Sequence, residues 1–95
     1  MEWRNELGEL HRVGGPAVIW GSGRQMWYQD GLLHRTDGPA IIGWQCQQLW
    51  YVKGKLHRTA GPAVEHADGT REWWLDGIQV DQLEHWLLVS TKETV

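Results

Sequence analysis

The segment WYQDGLLHRTDGPA, residues 27–40, decides the fold because its motifs return at a fixed distance along the chain. Leu-His-Arg and Gly-Pro-Ala each occur three times with a period of 23 residues, and residues 27–49 and 50–72 are identical at ten of 23 positions. This register predicts a repeat architecture over residues 4–80, inside a single domain that spans residues 1–95. The copies lie at 10–12, 33–35 and 56–58 for Leu-His-Arg, and at 15–17, 38–40 and 61–63 for Gly-Pro-Ala.

Each copy is expected to form a β-hairpin. The aromatic pair Trp27-Tyr28 lies in the first strand, and Gly31 then supplies the positive φ that a tight turn requires. Pro39 opens the second strand, where its missing N–H costs no ladder hydrogen bond. Hairpins that follow one another in this way predict a mainly β fold, an antiparallel meander in a single-layer sheet.

The fourth copy is incomplete and gives way to a short α-helix predicted over residues 81–90. Asp81 stands at a capping-box-like start, and Leu83, Trp86 and Leu87 share one face at helical spacing. We expect this apolar face to cover the last hairpin, since a helix is a common cover for a sheet edge.

Composition excludes several classes of function. The 95 residues include eight Trp and no Phe, which suits a thin sheet of half-buried side chains. The net charge of −3 argues against duplex nucleic acid and anionic membranes as partners. A single cysteine, no apolar run of membrane-spanning length and no signal-like start predict a cytoplasmic protein.

The unit WYxDGxLHRxxGPA resembles the MORN-type repeat, which has the same length and also carries paired aromatic residues. It is most similar to a variant found in small bacterial, phage and large-virus proteins. The resemblance covers residues 4–80 and implies single-layer hairpin sheets used for protein contacts. The Pro-Ala step and the Arg after each His depart from the family pattern. Together with the acidic charge they argue against a lipid-headgroup role.

The repeated His and Arg residues are the main candidates for chemistry. His11, His34 and His57 should lie side by side across the sheet, so we predict backbone hydrogen bonds and neither a metal nor another cofactor. Without a phosphate loop or a nucleophile beside a base, we predict no catalytic residues and no enzyme activity. The Arg residues either stack on aromatic rings or pair with Asp37 and Glu65, or they form an anion-recognising row. These residues are Arg12, Arg35 and Arg58.

A sheet with aromatic residues on both faces predicts a binding function. Uncovered apolar patches mark interaction sites, and Trp, Tyr and Arg are enriched at energetic hot spots. We therefore predict a non-enzymatic protein-interaction module, for example a phage- or bacterium-encoded inhibitor or adaptor that binds a host protein, and a homodimer. The predicted contact residues are Met26, Tyr28, Leu49, Tyr51 and Trp74.

Two alternatives stay open at this point. In the first, the exposed ladder is formed by Trp27, Trp50 and Trp73 on the opposite face of the strands. In the second, the protein sequesters a small anionic aromatic ligand, such as a nucleotide signal, through its Arg row and aromatic residues.

Overall fold

The structure is a computed structural model that describes residues 1–93, without the side chains of residues 46 and 91–93. It confirms the mainly β prediction, a hairpin meander followed by one C-terminal helix. The elements are β1 (Val18–Ile19), β2 (Gln25–Met26), β3 (Tyr28–Gln29), β4 (Leu32–Leu33), β5 (Ile41–Ile42), a 3₁₀ turn (Trp44–Cys46), β6 (Gln48–Leu49), β7 (Tyr51–Val52), β8 (Lys55–Leu56), β9 (Val64–Glu65), β10 (Arg71–Leu75), β11 (Ile78–Val80) and α1 (Gln82–Glu93).

All paired strands are antiparallel, and the main sheet has the order β1-β2-β5-β6-β9-β10-β11. The hairpins β3–β4 and β7–β8 extend two of the units beyond Trp27 and Trp50, where regular pairing is interrupted. The molecule measures 40 × 32 × 19 Å, so it is a thin plate in which one sheet layer carries the helix beside it.

Strand register divides the side chains of the main sheet between two faces, because directly paired residues share a face. One row is apolar almost throughout, whereas the other mixes isoleucines with polar and charged residues. The first row is Val18, Met26, Ile41, Leu49, Val64 and Glu72, and the second is Ile19, Gln25, Ile42, Gln48, Glu65 and Arg71.

The core is small and consists of short side chains. Val18 and Val64 are buried, with 5% and 3% of their surface exposed, whereas Ile41 is half-buried. The alanines of the Gly-Pro-Ala motifs are fully buried, so the repeat places its least bulky residue where the chain packs most closely. These alanines are Ala17, Ala40 and Ala63.

The first hairpin places Trp3 at the position that Trp27 holds in the second. The N–H of Trp3 donates to the carbonyl of Ala17 at 2.8 Å, just as the N–H of Trp27 donates to the carbonyl of Ala40 at 2.7 Å. These tryptophans lie 24 residues apart rather than 23, because the first turn is one residue longer than the others.

The longer first turn also closes the N-terminal end of the repeat array. In the second unit the N–H of Gly31 donates to the carbonyl of Leu10 in the preceding unit at 2.9 Å. The N–H of Gly8, its counterpart, donates at 3.0 Å to the carbonyl of Asn5 within its own turn. In the first unit the N–H of the turn glycine is therefore bonded within its own turn, whereas in later units the same N–H joins the turn to the preceding unit.

Helix α1 starts where the fourth hairpin ends. The Oδ1 atom of Asp81 accepts a hydrogen bond from the N–H of Glu84 at 2.7 Å, so Asp81 provides the predicted N-terminal cap. Within the described part of the chain, no helix has both the length and the apolar character needed to cross a membrane.

The prediction that Leu83, Trp86 and Leu87 face the last hairpin is wrong. Leu83 and Trp86 are 66% and 62% exposed, and the buried residue of the helix is His85, which is 5% exposed. The Nε2 atom of His85 lies 2.6 Å from the carbonyl oxygen of Arg58. Only one residue separates β11 from α1, and this short connection with the His85 contact fixes the rotation of the helix about its axis.

Candidate functional site

Each repeated Arg lies flat against a Trp of its own unit. The guanidinium carbon of Arg35 is 3.9 Å from the centroid of the Trp27 ring. A cation over an indole face at this distance is stabilising by about 0.5–2 kcal/mol. The predicted stacking of the Arg residues on aromatic rings is thus observed in every complete unit. The other two stacks join Arg12 to Trp3 and Arg58 to Trp50, each at 3.8 Å.

The Gly-Pro-Ala motif forms the second wall of each stack. The Nη1 atom of Arg35 donates to the carbonyl of Pro39 at 3.1 Å, and the guanidinium lies directly over Gly38. A Cβ atom at Gly38 would come within 2.6 Å of the Arg35 guanidinium carbon. Glycine is required here because the guanidinium occupies the space of a side chain. The Nη1 atoms of Arg12 and Arg58 donate in the same way to the carbonyls of Pro16 and Pro62.

Two of the three stacked Arg residues also have an acidic partner. The Nε atom of Arg35 donates to the Oδ1 atom of Asp37 at 2.9 Å, and this hydrogen bond and charge lower the pKa of Asp37. The Nη1 atom of Arg58 lies 3.8 Å from the Oε1 atom of Glu65. Among the described residues Arg12 has no carboxylate partner, because Gly14 stands where the second unit has Asp37. We call the side of the sheet that carries these stacks the arginine face.

The repeated His residues join successive units. The Nδ1 atom of His34 accepts a hydrogen bond at 3.0 Å from the backbone N–H of Lys53, in the turn of the next unit. An accepting Nδ1 carries no proton, so this geometry assigns the proton of the neutral ring to Nε2. The predicted backbone hydrogen bonding is observed, and no three metal-ligating side chains of the described residues converge on one point. The equivalent bonds run from Asp30 to His11 and from Asp76 to His57, both at 3.0 Å.

Shallow clefts separate the Arg loops on the arginine face. The cleft between the first two loops has a volume of about 330 Å³, and Arg12, Trp27 and Arg35 line it together with Asp37. The equivalent cleft one unit further along has a volume of about 150 Å³. Since the Asp37 carboxylate faces the larger cleft, its charge opposes an incoming anion there.

The opposite side, which we call the aromatic face, carries the predicted contact residues. Met26 and Leu49 belong to its apolar row. Trp74 shares this side with Glu72, because alternate residues of β10 point the same way and the Trp74 Nε1 atom donates to the Glu72 Oε1 atom at 2.9 Å. The five predicted contact residues are all half-buried, so they form the base of this face and do not protrude from it. We call this set the floor: Met26, Tyr28, Leu49, Tyr51 and Trp74.

The two tyrosines of the chain lie close together on the aromatic face. Tyr51 corresponds to Trp74 one repeat earlier, and Tyr28 corresponds to Tyr51. Burial raises the pKa of Tyr51, and the neighbouring Tyr28 raises it further. Register places Met26 and Leu49 in the apolar row, the Glu72 contact places Trp74 beside that row, and Tyr51 and Tyr28 are the equivalents of Trp74 in the preceding repeats.

The most exposed indoles beside this floor were not among the predicted contact residues. Trp20 and Trp44 lie in the return turns between units and are 51% and 63% exposed. Trp20 follows Val18 by two residues and so points to the aromatic face. The guanidinium carbon of Arg24 lies 5.9 Å from the centroid of the Trp44 ring. Their position in turns was the signal available in the sequence, because a turn holds its side chains away from the sheet.

A polar cluster bounds the floor at its C-terminal side. The Nε2 atom of His66 lies 2.7 Å from the Glu72 Oε2 atom, and Gln47 lies 3.5 Å from the other ring nitrogen. The hydrogen bonds from His66 and from Trp74 lower the pKa of Glu72. The apolar part of the aromatic face therefore belongs mainly to the first three units.

Comparison with protein-family models, curated proteins and solved structures gives no match for this chain. The MORN-type resemblance accordingly stays a prediction from the repeat itself. The class of protein that the fold defines is a short, capped array of β-hairpin repeats.

Proposed function

We propose that this chain is a non-enzymatic protein-interaction module that binds a partner protein through its aromatic face. The observation that supports this proposal is the pair of exposed indoles, Trp20 and Trp44, beside a half-buried aromatic floor. Large aromatic side chains next to an apolar surface are the usual anchors of protein interfaces. An inhibitor or adaptor role toward a host protein, as the repeat variant suggests, is the form of this function that we favour.

The position of the helix also supports the aromatic face as the binding surface. Trp73 alternates with Trp74 along β10 and so lies on the arginine face, where it lines a cleft together with His85 and Trp86 of the helix. The helix therefore lies on the arginine side, and its main contact is with β10 rather than with the strands that carry Met26, Tyr28, Leu49 and Tyr51.

Nucleotide sequestration has less support from the geometry. The guanidinium groups that would bind a phosphate are already placed between an indole ring and a glycine backbone. Arg35 and Arg58 are also close to carboxylates. A ligand would have to displace these contacts, and the free energy of doing so would reduce its affinity.

The test compares capture of proteins by the immobilised chain and by matched variants. We expect Trp20→Ser combined with Trp44→Ser to abolish retention of the specific partner, and Tyr28→Ser combined with Tyr51→Ser to weaken it. The control is Leu32→Ser, because Leu32 is as exposed as Trp20, at 51%, but pairs with Gln29 on the arginine side. Quantitative mass spectrometry of the retained proteins, followed by calorimetry with the purified partner, gives the affinities.

The same variants can also refute the proposed interface. A partner that binds the Trp20 and Trp44 variants with unchanged affinity, or that is lost equally with Leu32→Ser, would place the interface elsewhere. Near-ultraviolet circular dichroism of each variant separates loss of binding from loss of fold. A shift in melting temperature with a nucleotide would instead favour the ligand-binding alternative.

A second copy of this chain is one partner that the aromatic face can accommodate. Light scattering at micromolar concentration is expected to give twice the 11.0 kDa chain mass for the wild type. The Tyr28 and Tyr51 double variant should shift this mass toward the monomer. A wild-type mass of one chain would contradict the homodimer prediction and leave the binding of other proteins to be judged by the capture experiment.

A further inference from the structure

Neighbouring hairpins are joined by a repeated set of three hydrogen bonds on the half of the sheet beyond the Trp residues. The central junction lies between hairpin β3–β4 and hairpin β7–β8. Two of its bonds join backbone atoms only, and the third ends on an imidazole. They run from the N–H of Arg35 to the carbonyl of Tyr51 at 3.0 Å, from the N–H of Gly54 to the carbonyl of Leu33 at 2.8 Å, and from the N–H of Lys53 to the Nδ1 atom of His34 at 3.0 Å.

The three junctions differ in the side chain of the residue whose backbone N–H donates to the imidazole. At the two outer junctions the N–H donor belongs to an aspartate, and its carboxylate lies 3.4 Å from the same ring nitrogen: Asp30 beside His11, and Asp76 beside His57. At the central junction the donor belongs to Lys53, so this position brings a basic side chain instead of a carboxylate.

Protonation of the ring has opposite consequences in these two settings. A protonated Nδ1 becomes a donor and can no longer accept the backbone N–H. At an outer junction the new N–H can turn to the adjacent aspartate, which exchanges one hydrogen bond for a charge-assisted one. At the central junction the imidazolium faces the same backbone donor, which repels it, and the neighbouring residue offers no carboxylate to which it could turn.

The other charged groups around these rings do not remove the difference. Asp30 lines the same surface hollow as His34 and Lys53, but its Oδ1 atom is beside His11 and accepts from Asn5 at 3.3 Å. Among the described residues no carboxylate forms an ion pair with His34. On its other side His34 faces the cleft of Arg12, Arg35 and Asp37, in which Asp37 is paired with Arg35, and His57 shares its cleft with Arg35 and Arg58.

We propose that the central junction is an acid-sensitive hinge. Protonation of His34 breaks the bond from Lys53 and leaves only two backbone bonds between hairpins β3–β4 and β7–β8, so this junction opens more often, while the outer junctions stay closed. Tyr51 lies on one side of this gap and Tyr28 on the other, so the opening changes the spacing of the two tyrosines. The hinge itself does not depend on the proposed function.

Amide exchange of the ¹⁵N-labelled full chain tests the hinge at single residues. The backbone amides of Gly54, Gly31 and Gly77, which donate across the three junctions to the carbonyls of Leu33, Leu10 and Leu56, are followed together with the imidazole signals as the pH is lowered. We expect the protection of the Gly54 amide to fall about tenfold as His34 is protonated, because the central junction then loses the free energy of about one hydrogen bond. The Gly31 and Gly77 amides should change by less than about threefold, because at the outer junctions an ion pair replaces the lost bond.

Matched variants assign the effect to this pair. His34→Asn keeps an acceptor oxygen near the Nδ1 position but cannot be protonated, and Lys53→Asp installs the carboxylate of the outer junctions. Both changes are expected to abolish the acid-dependent loss of protection at position 54, and Asp30→Lys is expected to create such a loss at position 31. The proposal is overturned if the Gly54 amide stays protected after His34 is protonated, if all three amides lose protection together, or if His34→Asn behaves like the wild type. Binding to a partner is not measured here, so failure of the proposed function leaves this result unaffected.

Discussion

The two faces of the sheet use aromatic residues in different ways. On the arginine face each indole of the complete units is covered by a guanidinium at 3.8 or 3.9 Å, and a glycine backbone covers the other side of that guanidinium. On the aromatic face the rings form a half-buried floor, and Trp20 and Trp44 at its edge are more than half exposed. A single-layer sheet can thus use one side to stabilise itself, and under the proposed function the other side binds a partner.

The largest loss of stability should come from a change that forces the arginine stack apart. Gly38→Ala places a Cβ atom 2.6 Å from the Arg35 guanidinium carbon, so the stack must move. We expect a loss of about 2 kcal/mol in the free energy of unfolding, in the range of overpacked sites. Urea denaturation followed by Trp fluorescence measures it.

Alanine substitutions at two other glycines give a comparison for the loss of stability at Gly38. Gly61→Ala should cost less, because its nearest contact, the Arg58 Nη1 atom, would be 3.2 Å away. Gly21→Ala should be almost neutral, since no atom lies within 4 Å of the added Cβ. Equal effects at the three positions would show that the close contact over Gly38 does not hold the guanidinium in place.

A smaller effect is expected when the charge is kept and the flat group is lost. Arg35→Lys retains a cation but loses the planar stack on Trp27 and the Nε bond to Asp37. We expect a loss of about 1 kcal/mol, measured by thermal and urea unfolding. Arg4→Lys is the control, because this arginine pairs with Glu2 at the surface, and it should change stability by less than about 0.5 kcal/mol. Equal losses of stability for Arg35→Lys and Arg4→Lys would mean that only the positive charge matters at position 35.

The polar cluster on the aromatic face predicts a weak dependence of stability on acid pH. The pKa of Glu72 is lowered in the folded state, so the carboxylate stabilises the fold above its ordinary pKa of 4.5, and this contribution is lost as the pH falls through the folded-state pKa. Because the group is near the surface, we expect Glu72→Gln to cost only about 0.5 kcal/mol at neutral pH. Urea unfolding at several pH values should show the variant and the wild type converging in acid. A difference that grows in acid would contradict this assignment.

The smallest expected effect is spectroscopic and reports on the floor itself. Burial raises the pKa of Tyr51 above its ordinary value of 10.0, so its ionisation is delayed in the folded protein and stability falls as the pH rises through the folded-state pKa. Nuclear magnetic resonance of ¹³C-labelled tyrosine rings measures this titration. Tyr28→Phe should lower the Tyr51 midpoint slightly, because the Tyr28 hydroxyl is the second cause of the shift. A Tyr51 midpoint equal to that of the unfolded chain would show that the floor is open to water.

Much of the architecture was predictable from the repeat. A period of 23 residues with a turn glycine in each copy can be satisfied by equivalent hairpins laid side by side, and this is the arrangement found. The backbone role of His34 and the stacking of Arg35 followed from the same reasoning, since a residue kept in every unit most simply serves the unit. The equivalence of Tyr28, Tyr51 and Trp74 also followed from the period, since residues one repeat apart occupy matching positions.

The exposure of the aromatic residues was not predictable in the same way. Periodicity says which side a residue points to but not how much of it its neighbours cover. Tyr51 is therefore part of a half-buried floor, and the more exposed indoles beside it are Trp20 and Trp44 in the turns. Their position in turns was a sign of exposure, but strand periodicity ranks only strand residues, so they were not among the predicted contacts.

The sequence by itself determined the number of hairpins, their order and the side to which each strand residue points, because these follow from a period and from backbone geometry. Only the tertiary structure decided the rotation of the helix, with His85 inward and Trp86 outward, since one connecting residue and one contact to Arg58 outweigh the apolar pattern of an amphipathic segment. It also decided that Lys53 stands beside His34 where the other junctions have aspartates, because this pairing joins residues 19 positions apart that only the stacking of units brings together.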